Sequence, residues 1–427
     1  MVALVVVAAL LIVYATFSRP LNERGVTSAL FLMVVGLIAG PKVLGWIDVP
    51  LGAPTAERIA EIALALLLFS DAARIDLRSL RRHLAWPERL LLIGLPLTMA
   101  AGTLAGLALL PSLAFASVAL LAIMLAPTDA ALGQRVVTDT SVPSRVRQAL
   151  NVESGLNDGL AVPFFLVFID ITLAHPHAGP ISAVAHSAAQ QIGWGLAAGL
   201  ATSIIGGLLA RWADTRGWME GPWRQTLTLA TAVLAYASAV ALGGSGFIAA
   251  FVGGAAFRRA AGEGGQRILQ FTEDAGDLLA AVVWIGFGAL AVGKVLSLLT
   301  WQTVLYAVLS LTVVRVVPVA VAMVRSGARR PTVAFMGWFG PRGLASVVFA
   351  LIALDDRVPD AAVLFTVATC TVAFSVVAHG LTSAPLARTY HRWYETHRRE
   401  RPEAQEAVPT RAPRFRRQAA ADERGTI

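Results

Sequence analysis

Long apolar segments, separated by short polar loops, fill most of this chain and limit what it can fold into. A helix needs about 20 consecutive apolar residues to cross the hydrocarbon core of a bilayer. Charged residues make up only 15% of the chain, against about 25% in soluble domains. The sequence therefore predicts an all-α polytopic membrane protein. Thirteen segments are candidate transmembrane helices: 2–17, 27–46, 56–73, 88–110, 112–132, 148–174, 181–211, 224–242, 245–257, 275–293, 300–325, 332–354 and 359–386.

The positions of Lys and Arg predict how these segments are oriented. Loops after odd-numbered segments contain nineteen of the 35 Lys and Arg residues, whereas loops after even-numbered segments contain four. Basic residues collect in cytoplasmic loops. We therefore expect the N-terminus outside and the C-terminus in the cytoplasm, in the cell's inner (plasma) membrane. The same bias explains the net charge of +8 without nucleic acid as a partner.

The composition changes after the last apolar segment. Residues 1–386 are predicted to form the transmembrane domain, and residues 387–427 are polar and strongly charged. Such a segment cannot bury enough apolar surface to fold alone. We predict a basic cytoplasmic tail that is disordered or lies on the membrane lipids.

Two segments are interrupted by residues that break helices. The fifth is interrupted at Pro127–Asp129, and the twelfth at Gly337 and again at Gly340–Gly343. Backbone groups freed in a membrane need a cavity or a protein neighbour. Two broken helices an odd number of segments apart run in opposite directions. This is typical of an inverted repeat with a binding site near the middle of the membrane.

Two acidic residues lie in the apolar part of the chain near the first of these breaks. Asp129 belongs to the fifth segment and Asp158 to the sixth. A carboxylate at the bilayer centre costs about 2.5–3.5 kcal/mol on insertion scales, so it needs an ion, a proton or a basic partner. Ser154 and Asp158 share one helix face, and carbonyl groups freed near Thr128 offer oxygen ligands beside Asp129. We predict that Asp158 and Asp129 bind a monovalent cation such as Na+ together with Thr128 and Ser154.

Less specific interpretations of both acids stay open. Asp158 could cap the start of a helix near the cytoplasmic surface, because the helix end is uncertain by several residues. Asp129 could be a loop residue beyond the end of the fifth helix.

Two arginines lie inside apolar segments. A buried arginine needs an anionic partner, and for Arg342 we predict Glu153; the alternative is that Arg342 extends to the cytoplasmic interface. Arg315 is expected to stabilise a broken helix or to lie against the cavity. Asp71, at the end of the third segment, is a further candidate ligand or a residue of the cytoplasmic funnel.

These parts predict a transport mechanism that needs no cofactor and no enzymatic chemistry. A cation and a proton compete for the same carboxylate oxygens. If the site opens to alternate faces of the membrane only when one of them has neutralised it, cations are exchanged for protons. Asn157 precedes Asp158 and cannot titrate, so the local charge balance favours one proton per cation. The sequence contains no ATP-binding motif and no convincing nucleophile–base pair.

Three motifs occur in one order across the membrane part: Thr128–Asp129, Glu153–Asp158 and Gly340–Gly343. In this combination the chain resembles the monovalent cation:proton antiporters of the sodium/proton exchanger type, in their electroneutral, bacterial NhaP-like branch. The resemblance implies an inverted repeat in which broken helices five and twelve cross. It also implies a dimerisation half beside a six-helix core half, a homodimer, and elevator-like alternating access.

The resemblance also implies roles for individual residues. Asp158 is implied as the acid that binds ion and proton, with Asp129, Thr128 and Ser154 in the site. Asn157 belongs to the pair that marks the electroneutral branch, and a Glu153–Arg342 ion pair is implied to hold the core. By similarity, Arg315 occupies a place where electrogenic relatives carry a lysine.

The chain departs from the family pattern at two positions. The acid of the third segment commonly follows Leu-Phe directly, but here Ser70 does so and Asp71 comes one residue later. Gly155 replaces a more usual leucine, which we expect to be without consequence.

Several functions remain to be distinguished. The first is a secondary antiporter that exchanges Na+ for protons, with Li+ or K+ as alternative cations, K+/H+ exchange included. The second is a channel that uses the same acids as a selectivity ring. The third is a non-transporting sensor that signals through its basic tail; removal of residues 387–427 would abolish that role and leave transport largely intact.

Overall fold

The computed structural model of the protein describes residues 1–50, 53–74, 85–129, 132, 136–137, 139–174, 181–262, 268–400 and 405–407. Within these ranges the chain forms helices joined by turns and short extended segments, and none of these residues is in a β-strand. The prediction of an all-α protein is confirmed.

The helices follow the apolar segments along the chain. Side-chain caps begin several of them: Thr27 Oγ1 accepts a hydrogen bond from Leu30 N at 3.3 Å, for example, which satisfies a backbone donor of the first turn. The helices are α1 (Val2–Glu23), α2 (Ser28–Ala39), α3 (Pro54–Arg74), α4 (Ala85–Leu109), α5 (Phe115–Met124), α6 (Ser144–Ala174), α7 (Ile181–Thr215), α8 (Gly221–Ala241), α9 (Gly246–Ala261), α10 (Gln270–Val295), α11 (Trp301–Ala322), α12a (Arg330–Trp338), α12b (Leu344–Asp355) and α13 (Ala361–Glu400).

Many of these helices are apolar enough to lie in a membrane. By length and composition, seven helices of the described part are able to cross one: α1, α4, α6, α7, α10, α11 and α13. Three shorter helices are also apolar, namely α2, α5 and α12b. Helices shorter than a full span are expected where a spanning segment is broken. The protein is a polytopic membrane protein, and the number of thirteen spans stays a prediction.

Two helix ends differ most from those predicted from the sequence. The fifth segment was predicted to extend to residue 132 with an interruption at Pro127–Asp129, but α5 already ends at Met124, because Pro127 disfavours the α conformation in the residue before it. The last segment was expected to end at residue 386, but α13 continues to Glu400. The first part of the predicted tail is therefore helical. Residues 401–404 and 408–427 of the predicted tail lie outside the described residues, and the domain boundary itself stays a prediction.

The helices pack in two groups. In one, α7 packs on α8 and α9, and α3 lies between α9 and α10. In the other, α4 packs on α5 and α11, and α13 packs on both α11 and α12b. Helices α3, α7 and α9 of the first group contact α6 of the second. This division matches the predicted dimerisation half and core half, although a dimer itself stays a prediction.

The C-terminal end of α13 packs against α12a. The rings of Phe335 and Tyr390 stack at 4.3 Å, and the hydroxyl groups of Thr332 and Tyr390 lie 2.9 Å apart. The short turn Gln405–Ala407 reaches the same place, where Glu406 Oε1 accepts hydrogen bonds from Arg329 N at 2.8 Å and Thr332 Oγ1 at 2.9 Å. A carboxylate at this position lies at the positive N-terminus of α12a.

Candidate ion-binding site

The two broken helices meet at their breaks, as the resemblance to the family implies. The predicted interruption of the twelfth helix at Gly337 is wrong, because α12a continues through Gly337 to Trp338. After α5 the chain leaves the helix and reaches Asp129, whose backbone N–H donates to Pro341 O at 2.8 Å. Pro341 lies in the non-helical segment between α12a and α12b. The approach depends on Gly343, because a Cβ there would collide with the Asp129 carboxylate. Each break therefore satisfies backbone groups of the other.

The Asp129 carboxylate caps the second half of the twelfth helix. Its Oδ2 accepts a hydrogen bond from Leu344 N, the first residue of α12b, at 3.1 Å. A helix N-terminus carries a partial positive charge that stabilises an anion. Asp129 is thus part of the crossing and not a loop residue at the surface. Its predicted role as a cation ligand is not excluded by this bond, since a carboxylate has further lone pairs.

Arg342 caps the opposite kind of helix end. Its Nη1 donates to Ala126 O at 2.9 Å and Pro127 O at 3.4 Å, and its Nη2 donates to Ser310 O at 3.1 Å. Its side chain is completely buried, so it does not extend to the interface. The carbonyl groups that follow α5 have no helical partner, and the guanidinium supplies donors to them.

Glu153 pairs with a different arginine from the one predicted. Its Oε1 lies 2.6 Å from Arg315 Nη1, and both side chains are almost fully buried. The predicted Glu153–Arg342 ion pair is therefore wrong, because Glu153 pairs with Arg315 and both terminal nitrogens of Arg342 donate to carbonyl oxygens. Arg315 also lies beside the break of the twelfth helix, since a Cβ on Gly340 would collide with its guanidinium, and its role in stabilising that helix stays a prediction. The choice between the two arginines depends on tertiary packing that the sequence motif does not contain.

A chain of hydrogen bonds ties α6 to the break after α5. Asn157 Nδ2 donates to Thr128 Oγ1 at 2.6 Å, and Thr128 Oγ1 donates to Ser154 Oγ at 3.4 Å. Ser154 Oγ in turn donates to Thr128 O at 2.5 Å. All three side chains are buried. Asn157 thus has a structural role, while the hydroxyl groups of Thr128 and Ser154 keep lone pairs that can face an ion.

Asp158 is placed one helical turn after Ser154 and has a free oxygen. Its Oδ1 is buried and has no hydrogen-bond partner among the described residues. The charged groups that act on it most are Asp129 and Asp71. It lies well inside α6, so the alternative of a carboxylate that caps the helix start does not hold. An unpartnered buried carboxylate oxygen is costly, unless a proton or a cation binds it.

The two departures from the family pattern meet in space. Asp71 lies against Gly155: a Cβ built on Gly155 would be 3.6 Å from Asp71 Cβ and 3.8 Å from its Cγ. The hydroxyl group of the neighbouring Ser70 bonds back to Leu66 O at 2.9 Å in its own helix. A leucine at position 155 would extend into the space beside Asp71, and the expectation that Gly155 is without consequence stays a prediction. Asp71 thus lies beside the part of α6 that carries Ser154 and Asp158. Its role as a ligand stays a prediction.

A small cavity opens at the crossing. It is lined by Asp129, Val136, Val137, Leu150, Ser154, Phe339 and Pro341. Among the described residues, no group of three or more His, Cys, Asp or Glu side chains is arranged to hold a metal ion. A bound cation would therefore need hydroxyl and carbonyl oxygens as well as carboxylates, which Thr128 and Ser154 offer.

One contact of the crossing was not predicted from the sequence. Ser375 Oγ accepts a hydrogen bond from Arg342 N at 2.7 Å, across 33 residues of chain. The sequence could not predict this contact. A serine in an apolar helix that bonds to a distant segment looks the same in the sequence as a serine that bonds within its own helix.

The chain is similar in sequence to named antiporters over part or most of its length. It is 33% identical over 156 residues to a Na(+)/H(+) antiporter of Saccharomyces cerevisiae, which covers 34% of this chain and 15% of that protein. It is 27% identical over 397 residues to the K(+)/H(+) antiporter NhaP2 of Shewanella sp. strain ANA-3, which covers 90% of this chain and 66% of that protein. The chain thus spans less than two thirds of the length of either relative.

The fold has a close counterpart among solved structures. The sodium proton antiporter MjNhaP1 from Methanocaldococcus jannaschii superimposes with a TM-score of 0.72 at 19% identity, over 91% of this chain and 98% of that structure. At this identity the likeness concerns the fold. The model of the family described as "Sodium/hydrogen exchanger, transmembrane" matches residues 6–389. This match covers nearly all of the membrane part, including both breaks and both acids, and the chain belongs to the sodium/hydrogen exchanger family of transmembrane proteins.

Proposed function

We propose that the protein is a secondary active antiporter that exchanges Na+ for H+ across the membrane, with Li+ or K+ as alternative cations. The observation that carries this proposal is Asp158 Oδ1, a buried carboxylate oxygen with no hydrogen-bond partner among the described residues. Further oxygens are offered by Ser154, one helical turn before Asp158, and by Thr128, whose Oγ1 lies 3.4 Å from Ser154 Oγ. A proton or a cation satisfies this oxygen, and binding of one excludes the other.

The proposed cycle is electroneutral and needs no cofactor. Asn157, which precedes Asp158, is used to hold Thr128 and carries no charge. One exchanging carboxylate releases one proton for each monovalent cation, so no net charge moves. The core half, which carries the crossing, alternates between the two faces against the other half, and we propose that the latter forms a homodimer in the lipid bilayer.

The orientation is part of the same proposal. The surplus of basic residues in the loops after odd-numbered segments supports an N-terminus outside and a C-terminus in the cytoplasm of the inner (plasma) membrane. Transport into everted vesicles then reports cation uptake from the face that is normally cytoplasmic.

A proton-flux assay tests the exchange directly. Everted vesicles are acidified by respiration, and Na+, Li+ or K+ is added while a pH-sensitive dye is followed. We expect dequenching with at least one cation for the wild type and none for Asp158→Asn. The matched control is Asp170→Asn, the same change on the same helix at a half-buried residue bonded to Gln191, which should transport normally. No dequenching with any cation, from folded wild-type protein, would contradict the proposal.

K+/H+ exchange is the second candidate, and one observation favours it. Of the two relatives described above, the one that this chain matches over 90% of its length is a K(+)/H(+) antiporter. The cation that gives the lower half-saturating concentration in the same vesicles decides between Na+ and K+. A membrane potential imposed with an ionophore should leave the rate unchanged if exchange is one for one, and a current that persists without a proton gradient would indicate a channel.

The structure also changes how the sensor alternative is tested. Removal of residues 387–427 would delete Tyr390, which packs on Phe335 of α12a, and would thereby disturb the core. A chain that stops after Ala407 keeps these contacts. Normal exchange by this shortened chain would support a transporter, whereas a sensor would lose its signal and show no exchange before or after truncation.

A further inference from the structure

A buried histidine faces the break in the twelfth helix. His379, on α13, is only 1% exposed, and its ring centroid lies 5.3 Å from that of Trp338. Trp338 is the last residue of α12a. The last carbonyl groups of a helix lack intrahelical partners. Trp338 O accepts from Gly340 N at 2.8 Å, and a side chain that also donates to it holds the chain where the helix ends.

The ring nitrogen that faces this carbonyl has to be a donor. Nε2 of His379 lies 2.8 Å from Trp338 O, and a carbonyl oxygen can only accept. Nδ1 lies 2.9 Å from Ser375 O and 3.2 Å from Ser375 Oγ. It accepts from the hydroxyl when the ring is neutral and donates to the carbonyl when the ring is charged. The bond to Trp338 O is therefore present in the charged ring and in the neutral tautomer with the hydrogen on Nε2, which is the tautomer that we assign because the Ser375 hydroxyl can donate to Nδ1.

Ser375, also on α13, bonds to the backbone of the non-helical segment that follows α12a. It lies one turn before His379 on α13, and its Oγ accepts from Arg342 N at 2.7 Å. The two side chains thus hold a carbonyl at the end of α12a and an N–H within the break. Between these points lies Pro341, whose carbonyl accepts from Asp129 N at 2.8 Å and which lines the cavity beside Asp129.

We propose that His379 is a positioning residue of the cation site. By capping Trp338 O at the end of α12a, it fixes the segment against which Asp129 lies, and so sets the geometry of the oxygens around the cavity. No ion, proton or substrate contacts His379 in this role. The consequence for transport rests on the antiport function proposed above, whereas the consequence for the backbone does not.

The backbone part is tested by hydrogen–deuterium exchange on the full-length protein in lipid nanodiscs. His379→Leu removes the donor and keeps the bulk, and His379→Gln keeps an N–H that reaches Trp338 O. Thr371→Val is the matched control, since Thr371 is equally buried on α13 but donates only within its own helix, to Val367 O at 2.8 Å. We expect faster exchange over residues 336–346 in the leucine variant alone. Equal exchange in all four proteins would overturn the proposal.

The transport part uses the vesicle assay. The loss of one buried hydrogen bond changes an equilibrium by about five- to tenfold, so His379→Leu should raise the half-saturating cation concentration by about that factor. His379→Gln should restore it and keep the pH profile of the wild type. A glutamine variant that is as impaired as the leucine variant, or that has a shifted pH profile, would show that the ring titrates in transport, and would overturn the positioning role.

The two parts separate the possible failures. If the wild type shows no cation-dependent proton flux, the proposed function fails, and the exchange of residues 336–346 still decides the claim about His379. If the wild type transports and the leucine variant transports with unchanged half-saturation, the positioning claim fails and the proposed function stands.

Discussion

Each charged side chain at the crossing has a different kind of neutralising partner. Arg342 is bonded to carbonyl oxygens at a helix end, Asp129 to an N–H at a helix start, and Glu153 to a guanidinium. Of the carboxylates at the crossing that the structure describes, Asp158 has a buried oxygen without a hydrogen-bond partner. Side chains that are paired within the protein are held in place, whereas the unpartnered oxygen of Asp158 can bind a proton or a cation in exchange.

The pairing of Glu153 gives a prediction at this scale. Removal of one member of a buried ion pair leaves an uncompensated charge and costs about 3–5 kcal/mol. Arg315→Met should therefore destabilise the protein strongly, and Glu153→Gln combined with Arg315→Met should recover much of the loss. The measurement is the free energy of unfolding in mixed micelles, analysed as a double-mutant cycle.

The same cycle with Arg342 is the control. Arg342 has no ion pair with Glu153, because its donors face Ala126, Pro127 and Ser310. We expect a small interaction free energy for Glu153 with Arg342 and a large one for Glu153 with Arg315. The reverse order would contradict the pairing found in the structure.

The space beside Gly155 gives a second prediction. Gly155→Ala adds a Cβ at ordinary contact distance from Asp71, 3.6 Å, and should transport like the wild type. Gly155→Leu should displace the Asp71 side chain, and raise the half-saturating cation concentration if Asp71 is a ligand. Gly155→Leu with Asp71→Ala then separates crowding from charge: a double variant no worse than Asp71→Ala alone shows that the leucine acts through Asp71.

At the scale of helices, the broken pair forms one unit. The interruption of both helices is readable in the sequence, since Pro127 and the glycines of the twelfth segment break helices wherever they occur in such apolar runs. The hydrogen-bond partners of the helix ends at the breaks could not be predicted, because they lie about 200 residues away along the chain, as Leu344 does from Asp129. The helices and their breaks were therefore predictable, and the caps were not.

The cap on α12b is testable by a pair of variants. Replacement of a good N-cap side chain by alanine costs about 0.5–2 kcal/mol. Asp129→Asn and Asp129→Ala both remove the charge, but only asparagine keeps an oxygen that accepts from Leu344 N. We expect the alanine variant to be less stable than the asparagine variant by about that amount, in unfolding free energy. Equal stabilities would show that the contact is not a cap.

At the scale of the whole molecule, charge along the chain sets the orientation, and packing sets the two halves. The orientation follows from a bias summed over many loops, so it survives errors of several residues in any one helix end. The division into two groups of helices depends on which apolar faces meet, and the sequence motifs alone suggested it only through resemblance to relatives.

Cysteine labelling tests the orientation. The native Cys370 is buried and gives a low background with a membrane-impermeant maleimide. Val43, 60% exposed after α2, and Trp218, 65% exposed before α8, lie in loops that we assign to opposite faces. Val43→Cys should label in intact cells, and Trp218→Cys only after permeabilisation. Labelling of both from outside would refute the assigned topology.

The half-helix α12a is braced at both ends by the same neighbour. His379 bonds to its last residue, and Tyr390 bonds to Thr332 near its first. Eleven residues of α13 span about 16 Å and nine residues of α12a about 13 Å, so the two contacts on α13 are slightly farther apart than the half-helix is long. With a contact to α13 at each end, α12a has no hinge of its own. We therefore expect α12a and α13 to move together as one rigid unit whenever the crossing is displaced.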